Sequence, residues 1–162
     1  MATKNETIIK AEPGRQELFI IREFEAQREL VFKAFTTPEI VVKWLGPRDM
    51  TLRIDHYDAR SSGSYRYISI DPKGNEYAFH GVIHEVAAPD RVIQTFEFEG
   101  LPERGHVSFE TARFEALPDE RTRVVIQSVF QSVGDRDSMI CSGMERGVVD
   151  SHARLDELFA AI

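Results

Sequence analysis

The sequence predicts one α+β domain in which a single antiparallel sheet is covered by a long C-terminal helix. Short segments of alternating apolar residues, separated by turn residues, fill the middle of the chain. From residue 135 onward the apolar residues recur every three or four positions instead. With 162 residues, of which 42% are hydrophobic and 29% charged, the chain is long enough for one packed core.

The first elements are a tail, a strand and two short helices. Residues 1–14 end in Pro-Gly and are expected to form a flexible tail, which leaves 15–162 as the domain. The run RQELFIIREF, at 15–24, is typical of a strand with one charged face, and RELVFKAFT has helical spacing. A second helix is expected at Pro38, because Thr37 supplies an N-cap hydroxyl and proline suits the first helical position.

Six further strands are predicted, at about 50–57, 64–70, 76–87, 91–99, 105–116 and 122–131. The first of them alternates so regularly that Met50, Leu52, Ile54 and His56 are placed on one face. Short connections between the strands favour antiparallel neighbours. A sheet of six to seven strands is therefore expected.

The C-terminal segment, residues 135–162, is predicted to be one amphipathic helix of up to 28 residues, about 40 Å long at 1.5 Å per residue. Gly143 and Gly147 would lie on one face of this helix, four residues apart. Bare backbone at these positions either permits close packing or leaves space above the sheet.

Composition excludes several classes of function. The chain carries 20 basic and 27 acidic residues, a net charge of −7, and the entire acidic excess follows Ser61. No basic cluster is available for phosphates, so we expect neither nucleic acid nor membrane insertion. The single cysteine and the absence of a signal-like apolar run favour a reduced, cytoplasmic protein.

No residue set indicates catalysis, a metal or a cofactor. On one strand, His80 and His84 would be about 13 Å apart, too far for two ligands of the same zinc ion. Cys141 has no activating base nearby, and the phosphate-loop, dinucleotide and serine-elbow motifs are absent. We therefore assign no catalytic residue, no metal ligand and no cofactor.

Six ordered motifs resemble the START-like superfamily, and in particular its branch related to the C-terminal domain of the activator of the heat-shock-protein-90 ATPase. The resemblance covers about residues 15–160. The motifs are FEA with RELVF at 24–32, AFTTPE with KWLGP at 34–47, DARSSGSY at 58–65, GVIHEV at 81–86, PDRV at 89–92, and GMERG with RLDEL at 143–158. The resemblance implies a helix-grip fold, in which a curved antiparallel sheet wraps around the C-terminal helix and encloses a cavity.

The resemblance also implies that the cavity binds a small hydrophobic or aromatic molecule. The residues expected to line it are Trp44, Leu52, Ile54, His56, Phe96, Ile126, Met144 and Val148. Of these, His56 is the leading candidate for a polar group that orients the ligand.

Two other functions stay open, and fold alone does not choose among them. A cofactor-independent cyclase or hydrolase would need at least two titratable groups with perturbed pKa values converging in the cavity. An interaction module that modulates a chaperone would need an exposed apolar patch, and we rank it lowest. A homodimer is also an open alternative.

Overall fold

The structure is a computed structural model that describes residues 5–162, and it contains eight strands and four helices over that range. The strands are β1 (Ile8–Lys10), β2 (Glu17–Phe24), β3 (Thr51–Tyr57), β4 (Ser64–Ile70), β5 (Glu76–Ala87), β6 (Arg91–Phe98), β7 (Val107–Leu117) and β8 (Arg121–Val129). The helices are α1 (Arg28–Thr36), α2 (Pro38–Trp44), α3 (Val133–Cys141) and α4 (Met144–Ala160). The predicted α+β class and the two helices after the first long strand are confirmed.

All eight strands form one antiparallel sheet in the order β1-β2-β8-β7-β6-β5-β4-β3. β2 and β3 follow each other in the chain but lie far apart in the sheet, so α1 and α2 connect them across it. Register shifts interrupt β3 between Ile54 and His56 and β5 between Ile83 and Glu85. Such bulges bend a sheet, which gives the curved surface that the helix-grip fold requires.

The flexible tail predicted for residues 1–14 is wrong at Ile8–Lys10, where β1 pairs with β2. Two consecutive β-branched residues, Ile8 and Ile9, favour an extended strand, and the edge of β2 offers them backbone partners. The sheet therefore has eight strands rather than six to seven. Residues 1–4, also assigned to the tail, lie outside the described residues.

The single helix predicted for residues 135–162 is also wrong, because the helix is interrupted at Gly143, between α3 and α4. Gly143 has a φ of 85°, in the left-handed region that glycine adopts without strain. A Cβ at this position would meet no atom within 4 Å, so the backbone conformation is the reason for glycine. The two glycines consequently do not share one helix face.

The C-terminal half of α4 packs directly on β2. Leu155 is fully buried, and the ring of Phe24 makes edge-to-face contacts with His152 at 5.5 Å and Phe159 at 5.8 Å between centroids. The buried Arg22 forms two hydrogen bonds with Asp156, of 3.1 and 2.5 Å. These contacts fix one end of α4 against the sheet, while its N-terminal end covers a hollow.

Candidate ligand-binding cavity

A cavity of about 1140 Å³ lies between the inner face of the sheet and the helices α2, α3 and α4. It is larger than most cavities that hold one small molecule, which measure roughly 300–1,000 Å³. Its lining is predominantly apolar and aromatic. Exposed residues of the β6–β7 loop and the first turn of α4, such as Leu101 and Arg146, form its rim, so the cavity opens to solvent there.

Five of the eight predicted site residues line this cavity, namely Trp44, Phe96, Ile126, Met144 and Val148. They come from α2, β6, β8 and α4, so the fold brings together residues that are distant in the sequence. Their participation in binding stays a prediction.

The other three predicted residues do not line the cavity, and for His56 the reason is the bulge in β3. This irregularity after Ile54 breaks the alternation, so Tyr57 faces inward and the His56 side chain is 49% exposed. His56 instead lies 3.1 Å from the Ser64 hydroxyl. Its predicted role as the polar group of the cavity is therefore wrong. Leu52 and Ile54 do lie on the inner side, but they pack against the main hydrophobic core.

Trp44 is part of the core and part of the cavity wall. Its side chain is 4% exposed, its indole nitrogen donates a 3.0 Å hydrogen bond to the carbonyl of Ala34, and its ring lies 4.9 Å from that of Phe35. Because these contacts hold the indole in one orientation, Trp44 is a rigid wall of the cavity.

A row of aromatic rings continues the lining across β3, β4, β5 and β6. Neighbouring ring centroids lie 5.6 Å apart for Tyr57 and Tyr65, 6.0 Å for Tyr65 and Tyr67, 5.3 Å for Tyr67 and Phe79, and 5.4 Å for Phe79 and Phe96. Such a surface offers a large apolar contact area to a flat ligand.

Gly81 leaves room for the side chain of Tyr65, one of these aromatic residues. The Tyr65 hydroxyl crosses β5 at Gly81 and donates a 2.6 Å hydrogen bond to the carbonyl of Thr95. A Cβ on Gly81 would lie 2.0 Å from that carbonyl oxygen and 2.6 Å from the hydroxyl. Only glycine fits between these atoms.

One carboxyl group lies in the middle of this apolar surface. Glu110 of β7 stands in register with Gln94 of β6 and Ser128 of β8, and Leu18 of β2 extends the same row. The Gln94 amide donates to Glu110 Oε1 at 3.5 Å, and the Ser128 hydroxyl donates to Oε2 at 3.4 Å. Both hydrogen bonds are long, so the carboxyl keeps capacity to accept others.

Burial raises the pKa of Glu110, and the Gln94 and Ser128 donors oppose that shift only partly. The neighbouring tyrosines are affected in the same direction. Burial and the nearby Glu110 raise the pKa of Tyr57 to about 12, and they raise the pKa values of Tyr65 and Tyr67 well above the ordinary value. These phenols therefore stay neutral over the physiological range.

The positively chargeable groups of the lining lie at its rim or are held neutral. Arg146, the only arginine or lysine among the described lining residues, is bonded to Asp49 at 2.6 Å. His106 lies between Asp135 at 2.9 Å and Glu103 at 2.7 Å. Deeper in, burial and, less strongly, Arg22 lower the pKa of His152 to about 3.

Glu110 is not among the residues predicted from the sequence to line the cavity, although the sequence of β7 contains a signal for it. In β7 the inward positions are Ser108, Glu110, Ala112 and Phe114, so a carboxyl stands among small and apolar residues. The alternation was ambiguous because Phe109, on the opposite face, is also a large apolar residue and is 47% exposed. Knowing that Phe114 faces the core would have placed Glu110 inside.

Neither a metal-binding cluster nor a membrane-spanning helix occurs within residues 5–162. No group of three or more His, Cys, Asp or Glu side chains has an arrangement that could hold a metal ion. None of the helices in this range is both long and apolar enough to cross a membrane.

Solved structures share the whole fold. A protein from Rhodobacter sphaeroides matches with a TM-score of 0.86 at 21% identity, covering 97% of this chain and 99% of its own. Protein Ms6760 from Mycobacterium smegmatis matches with a TM-score of 0.85 at 21% identity, covering 94% and 96%. DynU16, a protein from the dynemicin biosynthetic locus, matches with a TM-score of 0.67 at 18% identity, covering 90% of this chain and 47% of its own.

At these identities the structures show the fold and nothing finer. No curated protein matches the sequence significantly. The model of one family does match, over residues 25–160, which is most of the chain. The chain therefore belongs to the family described as activator of Hsp90 ATPase homolog 1-like protein, within the START-like superfamily.

Proposed function

We propose that this protein binds a small hydrophobic or aromatic molecule in the cavity beneath α4. The observation that carries the proposal is the cavity itself, about 1140 Å³ of hollow lined by aromatic and aliphatic side chains. A packed interior has few voids larger than a water molecule, so a hollow of this size does not contribute to stability. Its use is to exclude water from an apolar guest.

Binding would be driven by the burial of apolar ligand surface, at about 25 cal/mol per Å². The aromatic row and Trp44 supply large, rigid surfaces that lose little conformational entropy when a ligand is bound. The polar group near the centre, Glu110, would orient the guest. The exposed rim gives the guest a route from solvent.

The test is a titration with N-phenyl-1-naphthylamine, a neutral apolar probe, followed by calorimetry. Val148 and Val149 are neighbours on α4, but Val148 lines the cavity whereas Val149 is 42% exposed. We expect Val148→Trp to weaken probe binding about tenfold, equivalent to about 1.4 kcal/mol, and Val149→Trp to leave it unchanged. Equal effects of the two variants, or no binding to the wild type, would contradict the proposal.

Native mass spectrometry of gently purified protein would identify the class of natural ligand. A compound that co-purifies with the wild type and is depleted in Val148→Trp belongs to the cavity. A compound retained equally by both proteins is bound elsewhere.

A cofactor-independent enzyme is the second candidate, and the observation that favours it is the group formed by Glu110 and the cavity tyrosines. Glu110 is close enough to affect the pKa of Tyr57, Tyr65 and Tyr67, and the pKa of each of these groups is shifted by burial. A titratable cluster of this kind is what acid–base chemistry needs. Conversion of a bound compound by the wild type, and not by Glu110→Gln, would favour the enzyme over the binding protein.

A further inference from the structure

Two of the three cavity phenols already use their hydroxyl hydrogens, whereas the Tyr67 hydroxyl has no hydrogen-bond partner within residues 5–162. Tyr57 already donates its hydroxyl hydrogen to the carbonyl of Phe35 at 3.1 Å, and Tyr65 donates its own to the carbonyl of Thr95. Their phenol oxygens retain lone pairs that can accept. Glu110 adds two carboxyl oxygens, each with one long hydrogen bond.

The two donors that reach Glu110 address different oxygens. Gln94 donates to Oε1 and Ser128 donates to Oε2, so both oxygens are placed as acceptors. A ligand that complements this arrangement must bring hydrogen-bond donors. A ligand carbonyl or carboxylate would bring further acceptors beside the carboxyl and the phenol oxygens.

The charges of the groups in the interior also favour a ligand that brings hydrogen-bond donors. Glu110 forms no ion pair within residues 5–162, and the lining arginine lies at the rim, bonded to Asp49. His152 is neutral, because burial lowers its pKa to about 3. A buried carboxyl without a cation is costly to ionise, and a ligand cation would remove that cost.

We propose that the cavity is selective for a lipophilic primary amine, whose ammonium group binds Glu110 while its aromatic or aliphatic body lies on the aromatic row. A primary ammonium has three donors and no acceptor, which matches the two Glu110 oxygens, each of which has only one long hydrogen bond. The aromatic rings of the lining add favourable surfaces for a cation. This inference rests on the proposed function and specifies the ligand class.

The test compares two naphthalene compounds of nearly the same shape, the cationic 1-naphthylmethylamine and the neutral 1-naphthylmethanol, by calorimetry at pH 7. We expect the wild type to bind the amine about tenfold more tightly, since hydrogen bonds to charged groups are stronger than those between neutral groups. Glu110→Gln removes the charge with little change of shape. It should remove most of the preference for the amine and alter the affinity for the alcohol less than about threefold.

The matched control is Glu115→Gln, which removes one negative charge from the same strand. Glu115 is exposed and does not line the cavity. It should therefore leave the preference for the amine as in the wild type.

The outcomes separate the two proposals. If the wild type binds the alcohol as tightly as the amine, the amine inference is overturned and the binding function stands. A preference that survives Glu110→Gln, or that is lost equally in Glu115→Gln, overturns the assignment to Glu110. If neither compound binds but N-phenyl-1-naphthylamine does, the amine inference is overturned and the binding function stands. If none of the three compounds binds, both proposals fail. Because the wild-type comparison needs no variant, the test does not depend on the folding of Glu110→Gln.

Discussion

Replacing His152 with phenylalanine should make the protein less sensitive to acid. His152 is 5% exposed, lies edge-on to Phe24, and has a pKa lowered to about 3 by burial and by Arg22. In the unfolded chain the same imidazole binds a proton near its ordinary pKa of 6.5. Its contribution to stability is therefore complete above pH 6.5 and is lost as the pH falls towards 3.

The size of the effect follows from the difference between the two pKa values. At 1.36 kcal/mol per pH unit, the full difference corresponds to roughly 5 kcal/mol, of which roughly 2–3 kcal/mol is lost between pH 6.5 and pH 4.5. His152→Phe keeps an aromatic ring against Phe24 and removes the proton-binding site. We therefore expect the free energy of unfolding of the variant to fall by roughly 2–3 kcal/mol less than that of the wild type between pH 6.5 and pH 4.5.

Urea unfolding followed by circular dichroism, repeated from pH 7 to pH 4.5, measures the difference. Thr7→Val is the matched control, because the Thr7 hydroxyl lies 2.8 Å from Nδ1 of His152. It should lower stability by about 1 kcal/mol at every pH and keep the wild-type dependence on pH. A loss of stability in acid that is as large in His152→Phe as in the wild type would refute this role of His152.

Two further predictions concern Gly81 and Glu110. Gly81→Ala should cost about 3 kcal/mol in urea unfolding, because its Cβ would clash with the Thr95 carbonyl. Gly134→Ala, whose Cβ would meet nothing closer than 3.8 Å, should be neutral or stabilise by up to about 1 kcal/mol; equal costs would show that Gly81 is not constrained. Glu110→Gln should raise the Tm at pH 8, because burial raises the pKa of Glu110 in the folded protein. The wild type therefore loses stability as the pH rises from the ordinary pKa of 4.5 towards the raised pKa. The advantage of Glu110→Gln should shrink as the pH falls to 4.5, and an advantage independent of pH would contradict this cause.

The sequence predicted the strands well because alternation and turn residues are local signals. The strand expected at 76–87 coincides with β5, and the expected 91–99 differs from β6 by one residue. Ordered motifs of the family then supplied the curvature and the position of the C-terminal helix. Neither follows from alternation alone.

The errors arose where tertiary contacts or backbone geometry override a local pattern. His56 was placed inside by perfect alternation, but a bulge after Ile54 reversed its side. Gly143 fits a helical period, yet its left-handed conformation ends that helix. Glu110 was overlooked because only its registration with Gln94 and Ser128 reveals that it faces the cavity. The homodimer stays an open alternative, and the chaperone partner stays the alternative ranked lowest.

Quenching of Trp44 fluorescence tests the central claim most directly, namely that the hollow beneath α4 admits an apolar guest. Trp44 is the only tryptophan of the chain and lines the cavity, and bound N-phenyl-1-naphthylamine absorbs where tryptophan emits. We predict saturable quenching with one probe per chain. No quenching up to the solubility limit of the probe, or quenching that never saturates, would contradict the claim.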